Sequence, residues 1–277
     1  MSTPGPWEIA RQQRAARPAE PSPAPLREPA EAKGQSLVWA LVSTALLAGI
    51  LWFVGGWVVA LAGVVGVFVH EYGHVLVMNR VGMGPAYIHI VPFFGGAAVP
   101  SRNEPTEYKG LLVSLAGPLF GLLAAIPFFA AYFATNQEVW LKGALFIGFI
   151  NLLNLAPIPP LDGSKALGPV LARVNPNLEK FGMLAAGAAA IVLGITQGYY
   201  FLAIFVAIAV LGYLKRGAWR PVSLKMTWRQ AAGGVALYLM AVILCGGTML
   251  YAGNLLHGPL LEERAREVVG IPAGPQP

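Results

Sequence analysis

Apolar residues fall along this chain in long blocks almost free of charge, with short polar breaks between them. A bilayer core needs roughly 20 apolar residues in a helix, so blocks of this length predict transmembrane helices. The first covers about Leu37–Phe53, and a Gly55-Gly56-Trp57 break leads into the second, about Val58–Met78, closed by Asn79 and Arg80. The third covers about Leu111–Tyr132 and the fourth about Trp140–Leu155. Phe181–Leu214 carries no charge and reads as one long span or as two short ones broken near Gln197-Gly198; a last span covers about Ala231–Leu256. Between the second and third spans the pattern changes. Tyr87–Val91 and Gly95–Val99 flank Pro92-Phe93-Phe94, which predicts a small β-hairpin or re-entrant segment over about residues 86–99. The expectation is an all-α polytopic membrane protein of about six to seven transmembrane helices, with that hairpin after the second.

Charge orients the spans. Lys180 precedes the 181–214 stretch, and Lys215, Arg216, Arg220, Lys225 and Arg229 follow it. The positive-inside bias puts both flanks in the cytoplasm, which requires two spans there. Counted from a cytoplasmic N-terminus, the second and fourth spans both run from outside to inside. Residues 1–36, with seven prolines and mixed charge, are expected to form a disordered cytoplasmic tail rather than a signal peptide. Residues 37–256 then form the membrane domain, and 257–277 a short C-terminal tail.

Composition agrees with this reading. The sequence is 56% hydrophobic and 12% charged, with mean hydropathy +0.60, whereas soluble domains carry about a quarter charged residues. The net charge of +6 is scattered along segments that flank the spans, so it reads as a topology signal and not as a nucleic-acid face. With Cys245 as the sole cysteine, no intramolecular disulfide can form.

The second span carries His70-Glu71-Tyr72-Gly73-His74, an H-E-x-x-H pattern. Residues four apart lie on one helical face, so the two imidazoles can hold a single metal ion, with Glu71 placed to act on a water beside it. Two imidazoles, a third ligand and an open position make a catalytic zinc site. The alternative, two core histidines, would bury them and a glutamate among Val, Leu and Phe without a role, which is expensive in a membrane.

A third ligand is available. The fourth span ends in Ala156-Pro157-Ile158-Pro159-Pro160-Leu161-Asp162-Gly163, where the prolines end the helix. Unwound backbone at membrane depth is tolerated where it lines a cavity or packs in protein. Asp162 is the only aspartate in the sequence. It follows a span that runs in the same direction as the second, so it returns to the same depth. His89, in the hairpin, is a further metal candidate but reads better as a strand side chain. Asn154, near the end of the fourth span, could steady substrate or a developing oxyanion. An interhelical contact is the alternative, and Asn151 competes from one turn earlier.

Together, H-E-Y-G-H in the second span, Ser114-Leu115-Ala116-Gly117-Pro118 in the third and the N-x-x-P-x-x-P-L-D-G run from Asn154 to Gly163 resemble the site-2 protease family of intramembrane zinc metalloproteases. The resemblance covers roughly residues 58–170. It implies zinc, one per chain, bound by His70, His74 and Asp162, with Glu71 as catalytic acid/base and Asn154 in substrate binding. It also implies a hairpin, here 86–99, that receives a transmembrane substrate as an added strand, in a bacterial cell membrane. The 81–107 stretch is too short for the PDZ domain some members insert there. Two other functions compete: a non-proteolytic scaffold of the same fold that binds membrane helices, and a metal transporter. A transporter usually repeats polar positions along several spans, and most spans here lack them.

Overall fold

The computed structural model describes residues 35–91, 95–216 and 224–269. It is mostly helical. Helix α1 spans Leu37–Gly55, α2 Trp57–Val81, α3 Glu107–Gly121, α4 Ile126–Thr135, α5 Val139–Asn154, α6 Asp162–Val174, α7 Pro176–Thr196, α8 Tyr200–Arg216 and α9 Trp228–Val269. Strands β1 (Ala86–Val91) and β2 (Gly95–Pro100) form an antiparallel pair between α2 and α3, in the place expected for a hairpin.

Local chemistry sets the boundaries. Ser36 caps α1 by accepting a bond from the Trp39 amide. Gly56, at φ +84°, turns the chain from α1 into α2, a backbone state that glycine adopts without strain. Thr106 caps α3, and α3 passes through a 3-10 turn, Leu122–Ala125, into α4. The uncharged stretch expected to be one span or two is two helices, α7 and α8, parted at Gln197–Tyr199 with Gly198 at φ +78°. This is the break expected at Gln197-Gly198.

Among the described residues, five helices are long and apolar enough to cross a membrane: Leu37–Gly55, Trp57–Val81, Glu107–Thr135, Pro176–Thr196 and Trp228–Gly258. Val139–Asn154 and Leu202–Lys215 are apolar but shorter, so the expected count of six to seven is not reached by length. The 16 residues of α5 rise about 24 Å, less than a bilayer core, because the proline run stops the helix. Residues 162–174, read from the sequence as part of a polar segment, form a helix, and α9 continues past Leu256 to Val269. Residues 1–34 of the expected tail, 92–94 between the two apolar stretches of the expected hairpin, 217–223 of the basic segment and 270–277 lie outside the described residues.

Burial is concentrated where α2, α3, α5, α6 and α9 meet. One core cluster joins Val58, Ala62, Ala124, Phe128, Ala144 and Ile147, and another joins Leu111, Leu115, Leu155, Ala166, Met226 and Cys245. In contrast, Leu37, Trp52, Phe53, Phe181, Val192, Ile208 and Ile243 are widely exposed, as side chains that meet lipid would be. The small residues of α2 and α3 allow the closest approach. A Cβ on Gly73 would lie 2.6 Å from the Phe120 Cβ and 2.7 Å from the Ala116 carbonyl oxygen.

Candidate metal centre

The two histidines of α2 and the aspartate that opens α6 converge. His70 Nε2 lies 3.1 Å from Asp162 Oδ2, His74 Nε2 lies 3.2 Å from the same oxygen, and the two Nε2 atoms are 3.1 Å apart. All three residues are buried. The helical spacing of four stacks the imidazoles on one face of α2, and the proline run returns the chain so that Asp162 reaches that face. Asp162 also occupies the first turn of α6, where the helix dipole favours a carboxylate. Among the described residues, these three form the group of metal-binding side chains with donor atoms within 4.8 Å of one another.

The outer nitrogens fix the proton positions. His74 Nδ1 lies 2.7 Å from the Val113 carbonyl, an acceptor, so this nitrogen carries the hydrogen. His70 Nδ1 lies 2.9 Å from Asn151 Oδ1, while Asn151 Nδ2 donates to the Ile147 carbonyl at 2.8 Å. The amide is thereby oriented with its oxygen toward His70, which must donate. Both neutral rings then present bare Nε2 lone pairs to each other and to the carboxylate. Three acceptors turned toward one point repel unless a cation lies among them. Ligands about 2.0–2.1 Å from a tetrahedral zinc lie about 3.3 Å apart, close to the separations found here. The residues present therefore fit a zinc ion.

Glycines make the room. A Cβ on Gly117 would collide with His74 Nε2 and come within 2.8 Å of His70 Nε2. One on Gly121 would collide with Asn151. The G-x-x-x-G spacing in α3 thus accommodates the imidazoles and their amide partner. Glu71 is buried beside His70, and a Cβ on Gly96 of β2 would strike its side chain. The hairpin is therefore packed directly against Glu71. Lys165, half exposed, approaches Asp162 Oδ1 at 3.8 Å.

Two further positions had been singled out by the sequence. Asn154 is half-buried and bonds back to the Ile150 carbonyl at 3.1 Å; the asparagine that meets His70 is Asn151. His89 pairs with Ala97 in the strand ladder, outside the cluster, and its buried Nε2 has no hydrogen-bond partner among the described residues. Sequence reasoning missed the Val113 carbonyl, Gly96 and Lys165. Backbone acceptors and glycine contacts leave no side-chain pattern to read. Asn151 was recognisable as a polar residue in an apolar span, but its partner was not.

A family model, peptidase family M50, matches residues 58–145, a stretch that contains His70, Glu71 and His74. "Putative zinc metalloprotease sll0528" of Synechocystis is 28% identical over 199 residues, covering 69% of this chain and 50% of that protein. "Putative zinc metalloprotease Rip2" of Mycolicibacterium smegmatis is 30% identical over 184 residues, covering 54% of this chain and 69% of that protein. The chain belongs to the site-2 protease family, peptidase family M50. The Mycobacterium tuberculosis protein of the same name is 30% identical over 178 residues, covering 66% of its length. The chain thus spans about half the length of the cyanobacterial relative and about two thirds of the mycobacterial ones. No solved structure matches it. Membership agrees with zinc as the metal that the histidine–aspartate donor set suits, and with an integral membrane protein of bacteria.

Proposed function

We propose that this chain is an intramembrane zinc metalloendopeptidase that cleaves peptide bonds in or beside the membrane spans of other proteins, in regulated intramembrane proteolysis. The observation that carries it is the convergence of His70 Nε2, His74 Nε2 and Asp162 Oδ2 with both outer imidazole nitrogens committed as donors. His70 and His74 precede Arg80 by six to ten residues, roughly 9–15 Å below the surface at helical rise. With the N-terminus cytoplasmic, that surface is the cytoplasmic one, and water enters from there along the 155–161 break. A bound zinc would polarise the scissile carbonyl and acidify the attacking water. Glu71 takes the proton from that water and delivers it to the leaving amine. Asn151 and the Val113 carbonyl hold the rings in the tautomer that keeps both Nε2 lone pairs turned inward. Asn154, at the mouth of the break, contacts substrate.

The hairpin supplies the docking edge. The Ile90 amide and carbonyl both bond to Gln35, and the Ala86 amide bonds to Asn79, so residues 86, 88 and 90 point away from β2. The Ser101 amide bonds to the Pro85 carbonyl, as the same alternation requires. Their cross-strand partners Gly96 and Ala98 therefore turn their amides and carbonyls outward from β2. The substrate, a single-span helix unwound near the cut, adds as a strand on this edge beside Glu71. Unwinding is necessary because a helix hides its backbone groups in its own bonds, so helix-breaking residues near the cleavage point should speed the reaction.

The separate duties of the two asparagines can be measured. Asn151→Ala should weaken metal affinity about 10- to 100-fold, as loss of a ligand's orienting partner does. Asn154→Ala should leave metal content unchanged and raise KM. Titration with a zinc-competing chelator checks the first, and equal affinities in wild type and Asn151→Ala would remove its assigned role. The function itself is tested by quantitative membrane proteomics on a host that carries either wild type or Glu71→Gln. Single-span proteins that accumulate at full length in the variant, with matching fragments in the wild type, are expected. No difference, with both proteins present and zinc-loaded, would favour the helix-binding scaffold.

A further inference from the structure

The hairpin has two edges, and the chain treats them differently. The outer edge of β1 lies beside the start of α1. There the side-chain amide of Gln35 pairs with both backbone groups of one residue: its Nε2 donates to the Ile90 carbonyl at 2.9 Å, and its Oε1 accepts from the Ile90 amide at 2.8 Å. Two bonds to the amide and the carbonyl of a single residue fix both distance and orientation, as a neighbouring strand would. Asn79 Oδ1 closes the same edge at Ala86. The outward backbone groups of Gly96 and Ala98 on β2 have no such partner among the described residues.

Ile90 is paired directly with Gly96. Gly96 in turn is the residue whose missing Cβ leaves room for the Glu71 side chain. A short line therefore runs from Gln35 through Ile90 and Gly96 to Glu71. We propose that Gln35 is a positioning residue for substrate: by clasping Ile90 it holds Gly96, and with it the receiving edge of β2, in register with Glu71. This rests on the reading of β2 as the docking edge. A two-stranded hairpin is marginal by itself, so it needs an outside restraint if its edge is to present a substrate carbonyl at a fixed place. Gln35 is half-buried and lies directly before the Ser36 cap of α1, which makes the base of that helix the anchor. The clasp also closes the β1 edge to strand addition, so an incoming segment is left with the edge next to Glu71.

The test uses the full chain, purified and zinc-loaded, as wild type, Gln35→Ala and Gln35→Glu. Two probes are compared: a peptide hydroxamate, whose extended backbone can pair with β2, and acetohydroxamate, which has no peptide backbone. Both variants should bind the peptide hydroxamate roughly tenfold more weakly, the equivalent of about one lost hydrogen bond. Acetohydroxamate affinity and zinc content should be unchanged. Gln35→Glu keeps the size of the side chain and can accept from the Ile90 amide, but it cannot donate to the Ile90 carbonyl. It carries the test if Gln35→Ala does not accumulate. Unchanged or tighter binding of the peptide probe would overturn the proposal, and so would equal weakening of both probes, which marks general damage to the metal site. A wild type that binds acetohydroxamate but not the peptide probe would refute strand addition and this inference with it. A wild type that binds neither would refute the metalloprotease reading itself.

Discussion

Glu71→Gln is expected to retain zinc at the wild-type level and to lose at least about 100-fold in cleavage rate, the lower end of what a positioned acid/base contributes. The substitution keeps the size of the side chain, so its packing on Gly96 survives. It removes the carboxylate that, in the proposed mechanism, accepts a proton from water and returns it to the leaving nitrogen. The side chain is buried next to His70, with Gly96 of the hairpin against it, so a bulk-solvent base has no ready access to replace it. Metal analysis and single-turnover cleavage on the same preparation check both halves. Full activity with zinc retained would exclude Glu71 as the acid/base. Loss of zinc together with activity would make it a ligand instead.

Asp162→Ala should lower bound zinc severalfold and carry activity down with it. Asp162 Oδ2 is the atom that both histidine Nε2 nitrogens face. Without it, two neutral imidazoles remain, one ligand short of the three protein donors of a catalytic zinc. The apo form of the variant should be less destabilised than the deletion of a paired buried charge would suggest, since no cationic partner is stranded: Lys165 is half exposed and stays hydrated. Zinc content after dialysis decides the matter, and an unchanged value would point to a third ligand outside this cluster.

Much of this centre was legible in the sequence because its chemistry is periodic. A spacing of four on a helix dictates that His70 and His74 share a face, and a proline run dictates that the helix before Asp162 must stop. The hairpin followed from two short apolar stretches on either side of Pro92–Phe94, and its strands fall at Ala86–Val91 and Gly95–Pro100. The division of the 181–214 stretch followed from the charges on its flanks. What stayed hidden depends on side chains meeting distant backbone. Asn151 and Asn154 are less than one turn apart in the same span, and spacing alone could not say which meets His70. Gln35 belongs by composition to the polar tail, yet it bonds to a strand 55 residues away. Helix α6 was obscured by its charges, Lys165 and Arg173, although Asp162, Ala166 and Pro169 of the same helix are buried. Five of the expected six to seven spans reach spanning length among the described residues; Val139–Asn154 is apolar but shorter, because apolar composition does not measure how far a helix runs before a proline run ends it.

The most direct measurement is X-ray absorption at the zinc edge on the purified full-length protein, beside Asp162→Ala. Two imidazole nitrogens and two oxygens at roughly 2.0–2.2 Å are expected in the wild type, with one oxygen lost or replaced in the variant. Zinc that shows no imidazole scattering would mean that His70 and His74 do not hold the metal, and the same spectrum in both proteins would mean that Asp162 does not.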